Sequence, residues 1–269
     1  MPYLSKEDYE EPGCPLCRPG KIASIPVNRV LDKLDEYLVH KDYEAAQRHL
    51  QYWLTEARSG RDVQGELAVL NEQIGLYRKM GKSESGLAAI QEALALSQQW
   101  EGSVTRGTTL INAATAYKAF DKAREALPLY EEAKTIYEAN LSSVDSRLGG
   151  LYNNMALTVM TLGDYPKARM LFEKALTVMS AQERGQWEEA ITYCNLADLT
   201  AAESGMEAGE KRIEEYLDRA EALLIGTESP WDGDYAFVCE KCAPTFGYYG
   251  YFVTEKTLQE RAASIYERT

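Results

Sequence analysis

The chain has 269 residues with 42 acidic and 29 basic side chains, a formal net charge of −13. So acidic a surface repels phosphate backbones and anionic lipid headgroups, which excludes nucleic acid and membrane surfaces as expected partners. No apolar run approaches the roughly 18 residues of a membrane span, and MPYLSKEDYEEPG has no apolar signal core, so a soluble cytoplasmic protein is expected.

Residues 1–26 hold five of the nine prolines and show no helical period. They read as an extended leader or a disordered tail, with Cys14-Pro-Leu-Cys17 inside it. Helical pattern begins near Val27. Val30, Leu34 and Tyr37 form one stripe, Asp42 can cap the next helix, and Ala46, Leu50 and Trp53 form a second. A shift of 40 carries the two stripes onto Leu70, Ile74, Tyr77 and Gly86, Ile90, Ala93. A further 40 reaches Leu110, Ala114, Tyr117 and Ala126, Tyr130, Ala133, and a further 42 reaches Tyr152, Ala156, Val159 and Ala168, Phe172, Ala175. The spacing predicts helical hairpins near 27–58, 66–99, 106–140 and 148–181. A looser pair follows near 186–225, with SGMEAGE as a longer turn, then a linker at Gly226–Gly233. The last pair, near 234–269, is predicted as Tyr235–Val253 and Glu255–Arg268, with Pro244 kinking the first helix or marking its start.

Small residues recur at 46, 86, 126 and 168, with a large apolar residue four later and, in three of the four units, an alanine three after that. GDYPKARMLFEKAL resembles the second-helix signature of tetratricopeptide repeats, and NNMAL the first-helix signature. The 40–42 residue period resembles the long-helix variety found in kinesin light chains. The resemblance implies an all-α, right-handed solenoid of about six stacked hairpins, whose first helices line a concave groove for a peptide or partner segment. Asn112 and Asn154 recur in phase, Asn195 lies within a residue of phase, and Asn71 is one residue off. Asn153 stands beside Asn154 on or next to the expected groove. An asparagine amide both donates and accepts, so a row of them can grip a peptide main chain, or else tie adjacent helices together. Arg78, Lys79 and Lys118 join the candidate site and would favour an acidic peptide, unless they are simply solvated.

Cys14 and Cys17 have the spacing of a zinc knuckle, and Cys239 and Cys242 share a helical face. Together they would make a Cys₄ site for one structural zinc, within a chain that curls strongly or between two chains of a homodimer. A redox use of either pair and unrelated thiols are the alternatives, and Cys194 reads as a small core residue. FGYYGYF at 246–252 puts aromatics on every side of a helix, fitting a packed last repeat or an interface. His40 and His49 are the only histidines, and His49 sits on the buried face of its helix. No catalytic constellation, phosphate loop or EF-hand is present. The expected function is a non-enzymatic scaffold or adaptor binding a peptide segment. A zinc- or redox-responsive regulator and a bacterial-type peptide sensor are the alternatives.

Overall fold

The structure, a computed structural model, describes residues 22–226 and 231–268. These form twelve α-helices and one 3₁₀ turn, with no strand among the described residues. The helices are α1 (Val27–Val39), α2 (Tyr43–Gly60), α3 (Val63–Met80), α4 (Ser83–Ser97), α5 (Val104–Ala119) and α6 (Ala123–Asn140). They continue as α7 (Ser146–Thr161), α8 (Tyr165–Met179), α9 (Gln186–Ser204), α10 (Met206–Ile225), α11 (Gly233–Tyr248) and α12 (Phe252–Tyr266). The chain divides into two compact units between Phe120 and Asp121, inside the third predicted hairpin.

In the first unit α1 packs on α2, α3 on α2 and α4, and α5 on α3 and α4. In the second, α6 packs on α7, α7 on α8 and α9, α9 on α8, α10 and α11, and α11 on α12. This is the stacking of a helical repeat, in which a hairpin buries its stripes against its neighbours. The in-phase residues form the interior. Ala46, Ala126 and Ala168 are fully buried, as are Leu50, Ile90, Tyr130 and Phe172 four residues later. A Cβ added to Gly86 would stand 2.6 Å from the Phe120 ring, so a side chain there would have to displace that ring.

The turns between paired helices repeat as closely as the cores. Lys41, Gly81, Asp121, Gly163, Gly205 and Gly250 each follow a first helix, and all have positive φ, from 55° to 86°. At four of these turns the next amide bonds back to the first helix: Asp42 to Tyr37 O, Lys82 to Tyr77 O, Asp164 to Val159 O and Tyr251 to Phe246 O. That 6→1 bond is the Schellman closure, and it needs a left-handed residue that glycine supplies at no steric cost. Lys41 and Asp121 adopt the same conformation with a Cβ in place.

Two boundaries differ from the sequence-based expectation. SGMEAGE is not a long turn, because Gly205, at φ 82°, alone reverses the chain and α10 starts at Met206. The helix expected over Tyr235–Val253 ends at Tyr248, because Gly250 closes a turn there. FGYYGYF therefore straddles a hairpin tip, which is why its aromatics fall on all sides. Pro244 lies inside α11 without ending it, on an exposed face.

Asp62 is a local hub. Its buried carboxylate accepts the Gly65 amide at 3.0 Å, capping α3, and the Ile25 amide at 2.9 Å. Ala23 N–H adds a 3.0 Å bond to Gly60 O, so residues 23–25 are fastened to the α2–α3 corner. His49 is packed as expected. Its Nε2 lies 2.9 Å from Val30 O, and since a carbonyl only accepts, that nitrogen carries the proton. Burial pushes the His49 pKa down, with the Val30 bond opposing.

These contacts fix how individual substitutions should act. Asp62→Ala removes a cap and orphans two donors, and should cost about 2–3 kcal/mol in urea denaturation. Asp164→Ala, an exposed cap, should cost about 1 kcal/mol. Lys41→Gly should raise the free energy of unfolding by up to about 1 kcal/mol by relieving a left-handed residue, whereas Gly81→Ala should lower it by about 1 kcal/mol. A depressed histidine pKa means the unfolded chain binds the proton first. The stability His49 contributes is therefore present above its unfolded pKa of about 6.5 and is lost as pH falls below it. His49→Gln should lose less stability than wild type between pH 7.5 and 5.5, and an identical pH slope would refute this assignment.

Candidate partner-binding site

The expected amides are present as one bonded pair in each unit, in a different register. Asn71, Asn112, Asn153 and Asn195 stand 41 or 42 residues apart in α3, α5, α7 and α9. In the first unit Asn112 Nδ2 donates to Asn71 Oδ1 at 3.0 Å. Asn71 Nδ2 in turn donates to Leu67 O at 3.0 Å and Thr109 Oγ1 at 3.1 Å. In the second unit Asn195 Nδ2 donates to Asn153 Oδ1 at 3.0 Å. Thr192 lies 3.4 Å from the same oxygen, but gives its single hydroxyl proton to Glu188 O at 2.8 Å. The partner of Asn195 is thus Asn153 and not Asn154. Apolar periodicity does not single out the threonines, although Thr109/Asn112 and Thr192/Asn195 recur as T-x-x-N, a spacing that puts both side chains on one helical face.

Each pair ties one first helix to the next and leaves amide capacity over. A pair uses one N–H and one oxygen, so Asn112 and Asn195 each keep an oxygen and a second N–H, and Asn153 keeps its NH₂. The Asn154 side chain takes no hydrogen bond among the described residues, while its backbone carbonyl accepts one from the Thr158 hydroxyl at 3.1 Å. All five asparagines are half-buried, which fixes their orientation while keeping them reachable. Beside Asn71, burial raises the Glu72 carboxyl pKa, and Asp35 adds to this.

The basic candidates sit apart from the amides along the helices. Arg78 and Lys79 are exposed in the last turn of α3, and Lys118 is half-buried in the last turn of α5. Cations there favourably meet the negative end of the helix dipole, so their placement has a structural reason besides any ligand.

The two cysteine pairs are unlike in what the structure shows. Cys14 and Cys17 lie outside the described residues. Cys239 and Cys242 are fully buried in the core that α11 shares with α9 and α12, among Tyr235, Val238, Ala243 and Phe246. Cys194, buried as expected, belongs to the same core as Cys242. Burial pushes the Cys239 thiol up to about 11, which opposes the thiolate that zinc requires. No group of three His, Cys, Asp or Glu side chains among the described residues has the arrangement of a metal site. These two thiols are placed as core packing, and Tyr235 over them donates its hydroxyl to Leu224 O at 2.8 Å. No described helix is long and apolar enough to cross a membrane.

Comparison with known proteins bears on this arrangement. The tetratricopeptide repeat family model matches residues 66–139 and 147–224, more than half of the chain. No curated protein matches the sequence. Among solved structures, the chain is similar to the nearly identical TPR-like repeats of a Podosopora anserina protein assigned as a kinesin light chain. Identity is 17%, the TM-score is 0.54, and the match covers 74% of this chain and 94% of that one. It is also similar to BtubC (BKLC) from P. vanneervenii, at 17% identity and a TM-score of 0.54, over 90% of this chain and 91% of that one. Likeness at this identity concerns the fold, an α-solenoid of helical repeats. Taken with the in-phase core and the repeated turns, the family match establishes that the chain belongs to the tetratricopeptide repeat family.

Proposed function

We propose that the chain is a non-enzymatic adaptor that holds an extended peptide segment of a partner protein against its first helices. The family is one of protein-interaction scaffolds, and the finer reading rests on the asparagines. Their repeated pairing is the observation that carries it. Pairing across helices sets which way each amide faces, and the unspent donors and acceptors recur at the repeat spacing. A peptide main chain offers a donor and an acceptor on every residue, so such amides grip backbone without reading side chains. Arg78 and Lys79 lie exposed on the same helix as Asn71 and would add a preference for acidic segments. In this reading the work is cytoplasmic and requires no cofactor.

Asn154 separates binding from stability, because its side chain supports nothing else. Peptides selected by phage display against the wild-type chain should bind Asn154→Ala at least about fivefold more weakly while its stability changes by less than about 0.5 kcal/mol. Asn112→Ala and Asn153→Ala should weaken binding too, and should each cost about 1 kcal/mol of stability by breaking a pair. Selected peptides that bind all three variants as tightly as wild type would sink the asparagine reading. Peptides insensitive to Arg78→Ala/Lys79→Ala would remove the acidic preference alone.

A further inference from the structure

A cavity of about 210 Å³ opens in the second unit, between α10 and the tip of the α11–α12 hairpin. Ordinary small-molecule sites run to roughly 300–1,000 Å³. This one has room for a single long side chain. Its floor is apolar, made by Ile213 and Leu217 of α10, both buried. Tyr249 and Tyr251 wall it on one side, and the exposed Met206 stands at its rim.

Both tyrosines are held in place from behind. Tyr249 donates its hydroxyl to Asp198 at 3.0 Å, and Tyr251 donates to Asp218 at 3.0 Å. Tyr251 also packs against Phe246, with ring centroids 5.8 Å apart. With their hydroxyls committed, the rings are fixed surfaces, and binding against them costs little ordering.

Glu207, Glu210 and Glu214 complete the lining. They recur at i, i+3 and i+7 along α10, on the side that carries Ile213 and Leu217. None of the three carboxylates is held in an ion pair or a hydrogen bond among the described residues. Several glutamates elsewhere are paired: Glu66 meets Arg58, Glu131 meets Lys167 and Glu203 meets Arg169. The cavity thus combines an apolar floor, fixed aromatic walls and unpaired carboxylates along its lining.

The geometry points to a receptor pocket for one lysine or arginine side chain of a basic segment in a partner protein. The aliphatic stem lies on Ile213, Leu217 and Met206, while the cationic head meets the tyrosine rings and the three carboxylates. Only a side chain with both parts matches both halves of the lining. An acidic peptide is repelled by it, and a purely apolar one leaves the carboxylates unmatched. This site shares no residue with the asparagine pairs, so its failure leaves that reading untouched.

The test uses the full chain and the peptides acetyl-GRGRG-amide, acetyl-GKGKG-amide and acetyl-GEGEG-amide, followed by ¹H–¹⁵N NMR shifts. The cationic peptides should move the amides of residues 205–217 and 249–251, and the glutamate peptide should not. The preference between arginine and lysine assigns the head group. Glu210→Gln/Glu214→Gln should weaken binding at least about tenfold. The control Glu84→Gln/Glu173→Gln removes the same charge from exposed glutamates elsewhere and should change it less than about twofold. Shifts spread evenly over the acidic surface, equal weakening by the two variants, or no binding at millimolar peptide would each overturn the pocket.

Discussion

The closest approach between helices sets everything else in this chain. At positions 46, 126 and 168 the side chain is a methyl group with no exposure, and at 86 even that is absent because the Phe120 ring fills the space. Two helices can be that near only where one of them is nearly bare, and the large residues four positions on fill the hollow that results. Enlarging any of these residues would force core side chains off their rotamers, at about 1–3 kcal/mol each. A hairpin alone would leave its second stripe wet, so the closeness repeats wherever the next hairpin must be received.

Because this constraint acts at fixed phase, the core is legible in the amino-acid sequence alone. The residues at 30, 70 and 110 are all buried, as are those at 50, 90, 130 and 172. What periodicity does not reveal is short-range and conformational. Gly250 ends α11 by adopting a left-handed backbone, and nothing in an aromatic-rich run announces which of its two glycines, Gly247 or Gly250, will do so. Asn153 and Asn154 are indistinguishable as letters, and only the rotation of α7 against α9 selects Asn153 for the pair. The cavity beside α10 is out of reach of the sequence altogether, since Glu210 and Tyr251 are 41 residues apart and meet through tertiary packing.

The cysteines show how much spacing alone leaves open. Two thiols three residues apart on a helix share a face whatever that face meets. Here it meets Cys194, Tyr235 and Phe246, and the medium around Cys239 favours the neutral thiol. The same alternation of buried and exposed positions that makes a helix amphipathic also makes a pair of packed cysteines look like half of a ligand set.

The repeated left-handed turn has a consequence for how the chain comes apart. After first helices four of its six occurrences are glycine, while Lys41 and Asp121, and Arg61 after α2, hold a positive φ against their own side chains. Repeats copied in outline are therefore not copied in energy. In a stack whose cooperativity passes only between neighbours, a handicap of about 1 kcal/mol is enough to decide where opening begins. One handicapped turn closes the first hairpin, a second, at Arg61, joins α2 to α3, and the third stands where the chain divides into its two compact units. The chain thus carries its own perforations, written in three residues that no inspection of its core would single out.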